Sequence, residues 1–301
     1  MINILLSTYN GERFIRAQIE SLLQQKDVPF RIFVRDDGST DGTRALITDY
    51  ATKYPDRISD LTDDRHRGYP DCFWNLLRDC PRADAYAFCD QDDVWEPEKL
   101  EHAQEMLKTV PATTPALYIH DYRICDEDLH PHAVHTIPDL KSLPSEKLLF
   151  FTYAEGFSMV LNNALRDVLL NGNPEGKQLC HDEWALWTAY FHGTILHDPN
   201  ILASYRRHES AYTTTGSDRK GMIRSWLKKE ISGPAFREKC GRIALFAGED
   251  TAITKKEKQT WLLLAGTDKT PNRYLKRLFC PHRLKPTLGG ELALRILFLI
   301  R

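Results

Sequence analysis

The sequence predicts an α/β protein with a largely parallel central sheet, helices on its faces, and a basic helical region after it. Three observations carry this. Short apolar runs alternate with stretches of helical periodicity through the first half of the chain. Several of those runs end in clusters of polar and acidic residues, at the strand ends where such sheets bind ligands. Beyond about residue 215 the alternation gives way to short basic stretches broken by Gly216, Gly221, Gly233-Pro234 and Gly248. A chain of 301 residues has room for one large α/β domain and a smaller appendage, expected here at 1–215 and 216–301.

Ile2–Leu6 is the first strand-like run. Over 12–25, Phe14, Ile15, Ile19, Leu22 and Leu23 share one face of a helix. Phe30–Val34 is the second strand, and Leu46, Ile47 and Tyr50 mark a helix that Thr40-Asp41 would cap. Tyr86–Cys89 is a third strand and Leu117–Ile119 a fourth. The polar segment 126–146, punctuated by Pro131, Pro138 and Pro144, reads as a long surface loop. No repeat or low-complexity tract interrupts this plan.

Composition narrows the function classes. Hydrophobic residues at 42% and charged residues at 27% describe an ordinary globular protein, and no run of 18 apolar residues offers a membrane span. The first basic residue, Arg13, follows the apolar start, the reverse of a secretory signal, so a cytoplasmic location is expected. Seven cysteines without a C-x-x-C pair argue against a disulfide framework or a cysteine-rich zinc site. The net charge of −2 hides a split: residues 219–301 carry 19 Lys/Arg and 7 Asp/Glu, a balance of +12, and the rest balances at −14. An acidic body with a basic appendage suggests that the appendage meets something anionic.

The chemistry sits at three strand ends. The first strand leads into Ser7-Thr8-Tyr9-Asn10, the second into Asp36-Asp37-Gly38-Ser39-Thr40-Asp41-Gly42, the third into Asp90-Gln91-Asp92-Asp93. Aspartates crowded at neighbouring strand ends repel, so a cation or hydrogen-bond donors must compensate. Oxygen ligands without Cys or paired His point to Mg²⁺ or Mn²⁺ shared with substrate phosphates. Asp-Gly-Ser is also ordinary turn chemistry, and one cluster alone would not decide the matter.

In order and spacing, these three motifs resemble the family 2 glycosyltransferases, inverting enzymes of the GT-A fold that take a sugar from a nucleotide donor. The resemblance spans roughly 1–215 and extends to His181-Asp182-Glu183-Trp184 and Tyr205-Arg206-Arg207-His208. The later motifs look like the bacterial branch that builds surface polysaccharides, rhamnosyltransferase-like members included. It implies that Thr8, Tyr9 and Asn10 line the nucleotide pocket, that Asp36 accepts a hydrogen bond from the base beside Asp37 and Gly38, and that Asp90 and Gln91 approach the ribose or donor sugar. Asp92 would bind the metal bridging the two phosphates, with Asp93 nearby. Asp182 would be the general base, with Glu183 the runner-up, although an N-cap aspartate would look the same. His208 is a metal or phosphate ligand on this reading and a structural histidine on the bland one. Arg206 and Arg207 read as phosphate clamps or as solvated surface, and Trp95 and Trp184 as sugar platforms or core. Relatives often show Asn-Phe where this chain has Cys72-Phe73, which puts the diphosphate contacts expected of His66, Arg67 and Tyr69 in question.

Two other readings compete. A Mg²⁺-dependent nucleotidyltransferase would carry a glycine-rich basic loop after the first strand, where this chain has a single glycine and no nearby lysine. An inactive sugar-nucleotide-binding relative would be expected to lose Asp92 or Asp182, and both are present. The acceptor implied by the resemblance is a glycan or lipid-linked glycan. Basic stretches carrying Trp226, Tyr274 and Phe279 then suggest peripheral attachment to the inner face of an anionic membrane. Nucleic acid is not an expected partner, because the basic segment lacks a reading motif.

Overall fold

The computed structural model describes residues 1–208, 227–267 and 271–300. The chain divides into two compact units, one of residues 1–141 and 154–208, the other joining 142–153 to the C-terminal residues. The boundary expected near 215 lies outside the described residues. The capture of 142–153 by the second unit has no counterpart in a division of the sequence into contiguous halves.

In the first unit the elements run β1 (Ile2–Thr8), α1 (Ile15–Leu23), β2 (Phe30–Asp36), α2 (Thr43–Lys53), β3 (Ile58–Asp60), α3 (Asp71–Asp79), β4 (Ala85–Cys89), β5 (Val94–Trp95) and α4 (Lys99–Leu107). They continue as β6 (Ala116–Cys125), β7 (Pro131–His135), β8 (Met159–Asn162), α5 (Asn163–Asn171), α6 (His181–His192) and β9 (Thr194–Arg206). One sheet takes the order β3-β2-β1-β4-β8-β6-β9-β5, with β7 paired to β6. The first four strands are parallel, as the alternating pattern predicts. Beyond them β8 runs antiparallel to both β4 and β6, so the sheet is mixed. Every residue of β1 is buried, because helices cover both faces of the parallel half. Ile4, Leu6, Ile32 and Val34 meet Ile15, Ile19, Leu22 and Ile47 in one core.

Two local expectations change. The N-cap of α2 is Gly42, and Asp41 acts one position earlier, accepting the Thr43 N–H at 3.0 Å. The segment 126–146 is not a free loop. Its middle pairs with β6 as β7, and Ile137, Leu140 and Ser145 are buried. All seven cysteines are free, five of them buried.

The second unit holds a 3₁₀ turn Ser145–Leu148, a π-helical turn Leu227–Ser232, and helices α7 (Ala235–Glu249), α8 (Lys255–Ala265), α9 (Arg273–Leu278) and α10 (Leu288–Ile300). Helix α8 starts at a capping box of Thr254 and Glu257 and stops at Gly266 in the left-handed conformation, as its sequence signals require. Phe150 stacks on Phe236 and meets Phe298 edge-on, and Trp261 Nε1 donates to Ser145 Oγ at 3.1 Å. These contacts explain why 142–153 belongs here. No helix among the described residues is long and apolar enough to cross a membrane.

Candidate active site

Parallel pairing in register sets Thr8 beside Asp36 and Leu6 beside Cys89. The polar extensions of β1, β2 and β4 therefore leave the same edge of the sheet together. Gly38 makes the turn after β2 with φ of +87°, a conformation that other residues resist. Asp36 is buried and accepts from Thr8 Oγ1 at 3.0 Å, from Ser39 N at 2.9 Å and from Ser39 Oγ at 2.5 Å. Asn10 N donates to Ser39 Oγ, and Asn10 Oδ1 accepts from Thr40 N, both at 2.8 Å. Gln91 holds the opposite side of the β1 extension, accepting from Tyr9 N at 2.8 Å and donating to Tyr9 O at 3.0 Å. The Tyr9 ring is left exposed, 5.5 Å from the His66 ring.

The loop after β3 closes on Asp37. Its carboxylate accepts from the backbone N–H groups of Arg67 at 2.6 Å and Gly68 at 2.7 Å. The Arg67 guanidinium is engaged elsewhere, with Asp63 at 2.5 and 2.6 Å and with Asn75 Oδ1 at 2.7 Å. Arg67 thus shapes this wall through its backbone, with its side chain turned to Asp63 instead of an open phosphate position.

Antiparallel pairing of β5 with β9 brings the end of β9 beside the Asp90–Asp93 loop. There His208 Nε2 lies 2.8 Å from Asp92 Oδ2. Arg206 is buried and braces the same loop: its N–H donates to Asp93 Oδ1 at 3.1 Å, its Nε to Asp92 O at 2.8 Å, and a further guanidinium N–H to Glu127 O. Its guanidinium lies over the Phe14 ring, and burial holds its pKa below the usual value. Trp95 is buried beneath this loop with the Lys99 ammonium 3.2 Å from its ring centroid, a packing role. Trp184 is buried beside Trp187.

Helix α6 delivers the remaining carboxylates. Its N-cap is Cys180, so Asp182 and Glu183 occupy the first turn instead of the cap, where the helix dipole favours negative charge. Asp182 Oδ1 accepts from Glu183 N at 2.7 Å. The helix start is fixed by His181, whose ring stacks on Phe73 at 3.9 Å and meets Phe88 at 4.6 Å and Tyr69 at 5.8 Å. Neither ring nitrogen has a hydrogen-bond partner among the described residues, and burial pushes the imidazole down to about 3, so it packs as a neutral aromatic. Phe73, whose neighbour Cys72 departs from the family pattern, is part of this support.

One acidic field joins these parts. Asp90 is pushed up to about 8 by burial first, then by Asp92 and Asp182. Asp93 is fully buried and held well above the carboxylate range by burial, Asp92 and Asp90, and its Oδ2 has no partner among the described residues. Glu155 is pushed up to about 8 by burial, Asp182 and Asp90, against the pull of Arg207. The sequence reading does not single out Glu155, the adjacent Gly156 or the buried Lys99. The one available signal was an acid–glycine pair just before the apolar run that becomes β8. A cavity of about 740 Å³ lined by Ile2, Asp84, Lys108 and Asn162 lies at the opposite, amino end of β1 and β4 and holds none of these groups.

The comparisons bear on the family and the fold. The chain is 26% identical over 246 residues to the dTDP-rhamnosyl transferase RfbG of Shigella flexneri, covering 75% of this chain and 82% of that one. It is 31% identical over 107 residues to the UDP-Glc:alpha-D-GlcNAc-diphosphoundecaprenol beta-1,3-glucosyltransferase WfgD of Escherichia coli, covering 36% and 41%. The crystal structure of S. aureus TarS 1-349 in complex with UDP-GlcNAc has the same fold, with a TM-score of 0.61 over 97% of this chain and 78% of that one, at 16% identity. The model of the family described as Glycosyl transferase family 2 matches residues 3–169, more than half of the chain, and to that family the chain belongs.

Proposed function

We propose that the chain is an inverting hexosyltransferase of cell-surface polysaccharide synthesis. It moves a sugar from a nucleotide-diphosphate donor, dTDP-rhamnose or a UDP-hexose, to a hydroxyl of a glycan or lipid-linked glycan. The observation that carries this reading is the shared acidic field of Asp90, Asp92 and Asp182 beyond the carboxyl ends of β1, β2 and β4. Donor names among the relatives, dTDP-rhamnose for RfbG and UDP-glucose for WfgD, support both nucleotide classes.

In this mechanism Thr8, Tyr9, Asn10, Asp36, Asp37 and Gly38 receive the nucleoside, with Arg67 N–H holding the Asp37 carboxylate in place. Asp90 and Gln91 meet the ribose and sugar. Asp182 takes the proton of the acceptor hydroxyl as that oxygen attacks the anomeric carbon opposite the leaving diphosphate, so the configuration inverts without a covalent intermediate. Glu183 stands next in line for that role. Arg206 fixes Asp92 and Asp93 through its bonds to their loop.

A hard divalent cation, Mg²⁺ or Mn²⁺, fits Asp92 and His208. Their side chains already touch, His208 Nε2 lying 2.8 Å from Asp92 Oδ2, and the buried Oδ2 of the neighbouring Asp93 has no partner among the described residues. Among the described residues no group of three ligating side chains is assembled, so the ion would need substrate phosphate oxygens to complete its coordination. Such an ion supplies neutralisation of the charge that develops on the diphosphate.

The acceptor class suggests a cytoplasmic enzyme held peripherally on the inner face of the cell membrane by its basic C-terminal residues. The cluster around Arg224, Trp226 and Lys228 invoked for this from the sequence lies largely outside the described residues. The deciding experiment incubates the protein with dTDP-rhamnose and a series of UDP-hexoses and scores released nucleoside diphosphate. Asp92→Ala should abolish release. Silence with every donor would overturn the reading, and full turnover in excess chelator would remove the metal from it.

A further inference from the structure

Helix α10 is apolar on two opposite sides. Leu294, Leu297 and Phe298 face inward, Phe298 packing on Phe150 and Phe236 under the Arg277 guanidinium. Leu288, Leu292, Ile296 and Leu299 recur at helical spacing on the other side and are exposed, Leu288 to 78% and Leu292 to 64%. Tyr274, Leu275 and Phe279 of the neighbouring α9 and its end are exposed as well, Phe279 to 73%. Monomeric proteins rarely leave so many large apolar side chains of two adjoining helices in water.

The charge around the stripe says what covers it. Residues 271–301 contain seven Lys/Arg and one acidic residue, Glu291. Glu291 is consumed by Arg295 and by the backbone N–H groups of Leu284 and Lys285, while Lys276 and Arg283 stand exposed. A second copy docked on this face by a two-fold axis would bring two basic segments together, which is unfavourable. An anionic bilayer instead receives leucines in its acyl boundary and cations among its headgroups.

We infer that the outer face of α9 and α10 is a membrane-contact surface that lies in the plane of an anionic lipid leaflet. The inference gives residues to the peripheral attachment put forward above and rests on that reading for its biological purpose. The 13 described residues of α10 are fewer than the roughly 20 of a bilayer crossing, and the proposal lays them along the leaflet surface.

The test is flotation of the full chain with phosphatidylcholine vesicles containing increasing phosphatidylglycerol. Binding should rise with phosphatidylglycerol and fall with salt. Leu292→Gln/Ile296→Gln, on the exposed stripe, and Lys276→Glu/Arg283→Glu should each weaken binding about tenfold or more while leaving the melting temperature unchanged. A full chain that stays unbound at low salt overturns the inference. So do stripe variants that bind like wild type, or a wild-type dimer that the stripe variant dissolves. Binding is read without donor or acceptor, so a failure of sugar transfer strikes the proposed function and leaves this surface standing.

Discussion

A single methyl group at Gly156 tests whether the support of Asp182 is as tight as the packing indicates. A Cβ built on Gly156 would lie 2.3 Å from His181 Nε2, about 1 Å inside ordinary contact. The imidazole has nowhere to go, because Phe73, Phe88 and Tyr69 enclose its other sides. The strain must pass to the backbone at the start of α6, one residue from Asp182. Overpacking of this kind costs roughly 1–3 kcal/mol. At about 2–4 °C per kcal/mol for a domain of this size, Gly156→Ala should melt roughly 2–12 °C lower. A displacement of about 1 Å at a reacting group can cost on the order of 100-fold in rate. The variant should therefore lose kcat by that order while its KM for the donor changes little. Scanning fluorimetry and initial rates with the best donor measure both. Gly156→Ala/His181→Ala, which removes the obstructing ring, should recover part of the stability but not the rate. A Gly156→Ala protein with wild-type melting and kcat would refute the wedge, and lost stability with intact kcat would refute its coupling to Asp182.

The other expected outcomes concern the carboxylates and the buried imidazole. Asp182→Asn should remove transfer while nucleotide binding, followed by calorimetry, stays near wild type; retained transfer would move the base to Glu183. Glu155 titrates near 8 in the folded chain against 4.5 as its ordinary value, so between those pH values the unfolded chain has released a proton that the folded chain keeps. Stability falls as pH rises through that window, and Glu155→Gln should flatten the decline in melting temperature. His181 acts in the opposite direction: the unfolded imidazole takes a proton below 6.5 and the folded one only near 3, so stability falls on acidification across that range and His181→Phe should flatten that limb.

The parallel half of the sheet was legible because its strands are short apolar runs in order along the chain. The pairing of Thr8 with Asp36 follows from two such runs ending alike. Strand β9 was not legible. Its middle reads His197-Asp198-Pro199-Asn200, and pairing with β6, not local propensity, makes it a strand. The register shift beside Asp121 on β6 lets His197 Nε2 meet Asp121 Oδ1 at 2.8 Å, a pair 76 residues apart that no local pattern announces. Glu155 was missed for the same reason, since its importance comes from Asp182 and Asp90 across the fold. Arg206 read from the sequence as a phosphate clamp or as solvated surface, and it is neither exposed nor free to point outward, for its buried guanidinium turns to backbone carbonyls.

That direction has an electrostatic consequence. Lys99 and Arg206 lie beside the acidic field, and both spend side-chain hydrogen bonds on backbone: Lys99 Nζ on Phe157 O, and the Arg206 guanidinium on Asp92 O and Glu127 O. Arg206 fixes the shape of the Asp90–Asp93 loop, and among the described residues neither cation forms a side-chain pair with Asp90 or Asp92. Asp90 is pushed up to about 8 and Asp93 well above its ordinary range, so near neutral pH their repulsion is relieved by proton uptake and both carboxyls are largely neutral. A cation bound there would favour the ionised carboxylates and release their protons, so its affinity would rise with pH. On the proposed reading, a divalent cation carried in with the diphosphate would bind more tightly as pH rises towards 8, where Asp90 ionises.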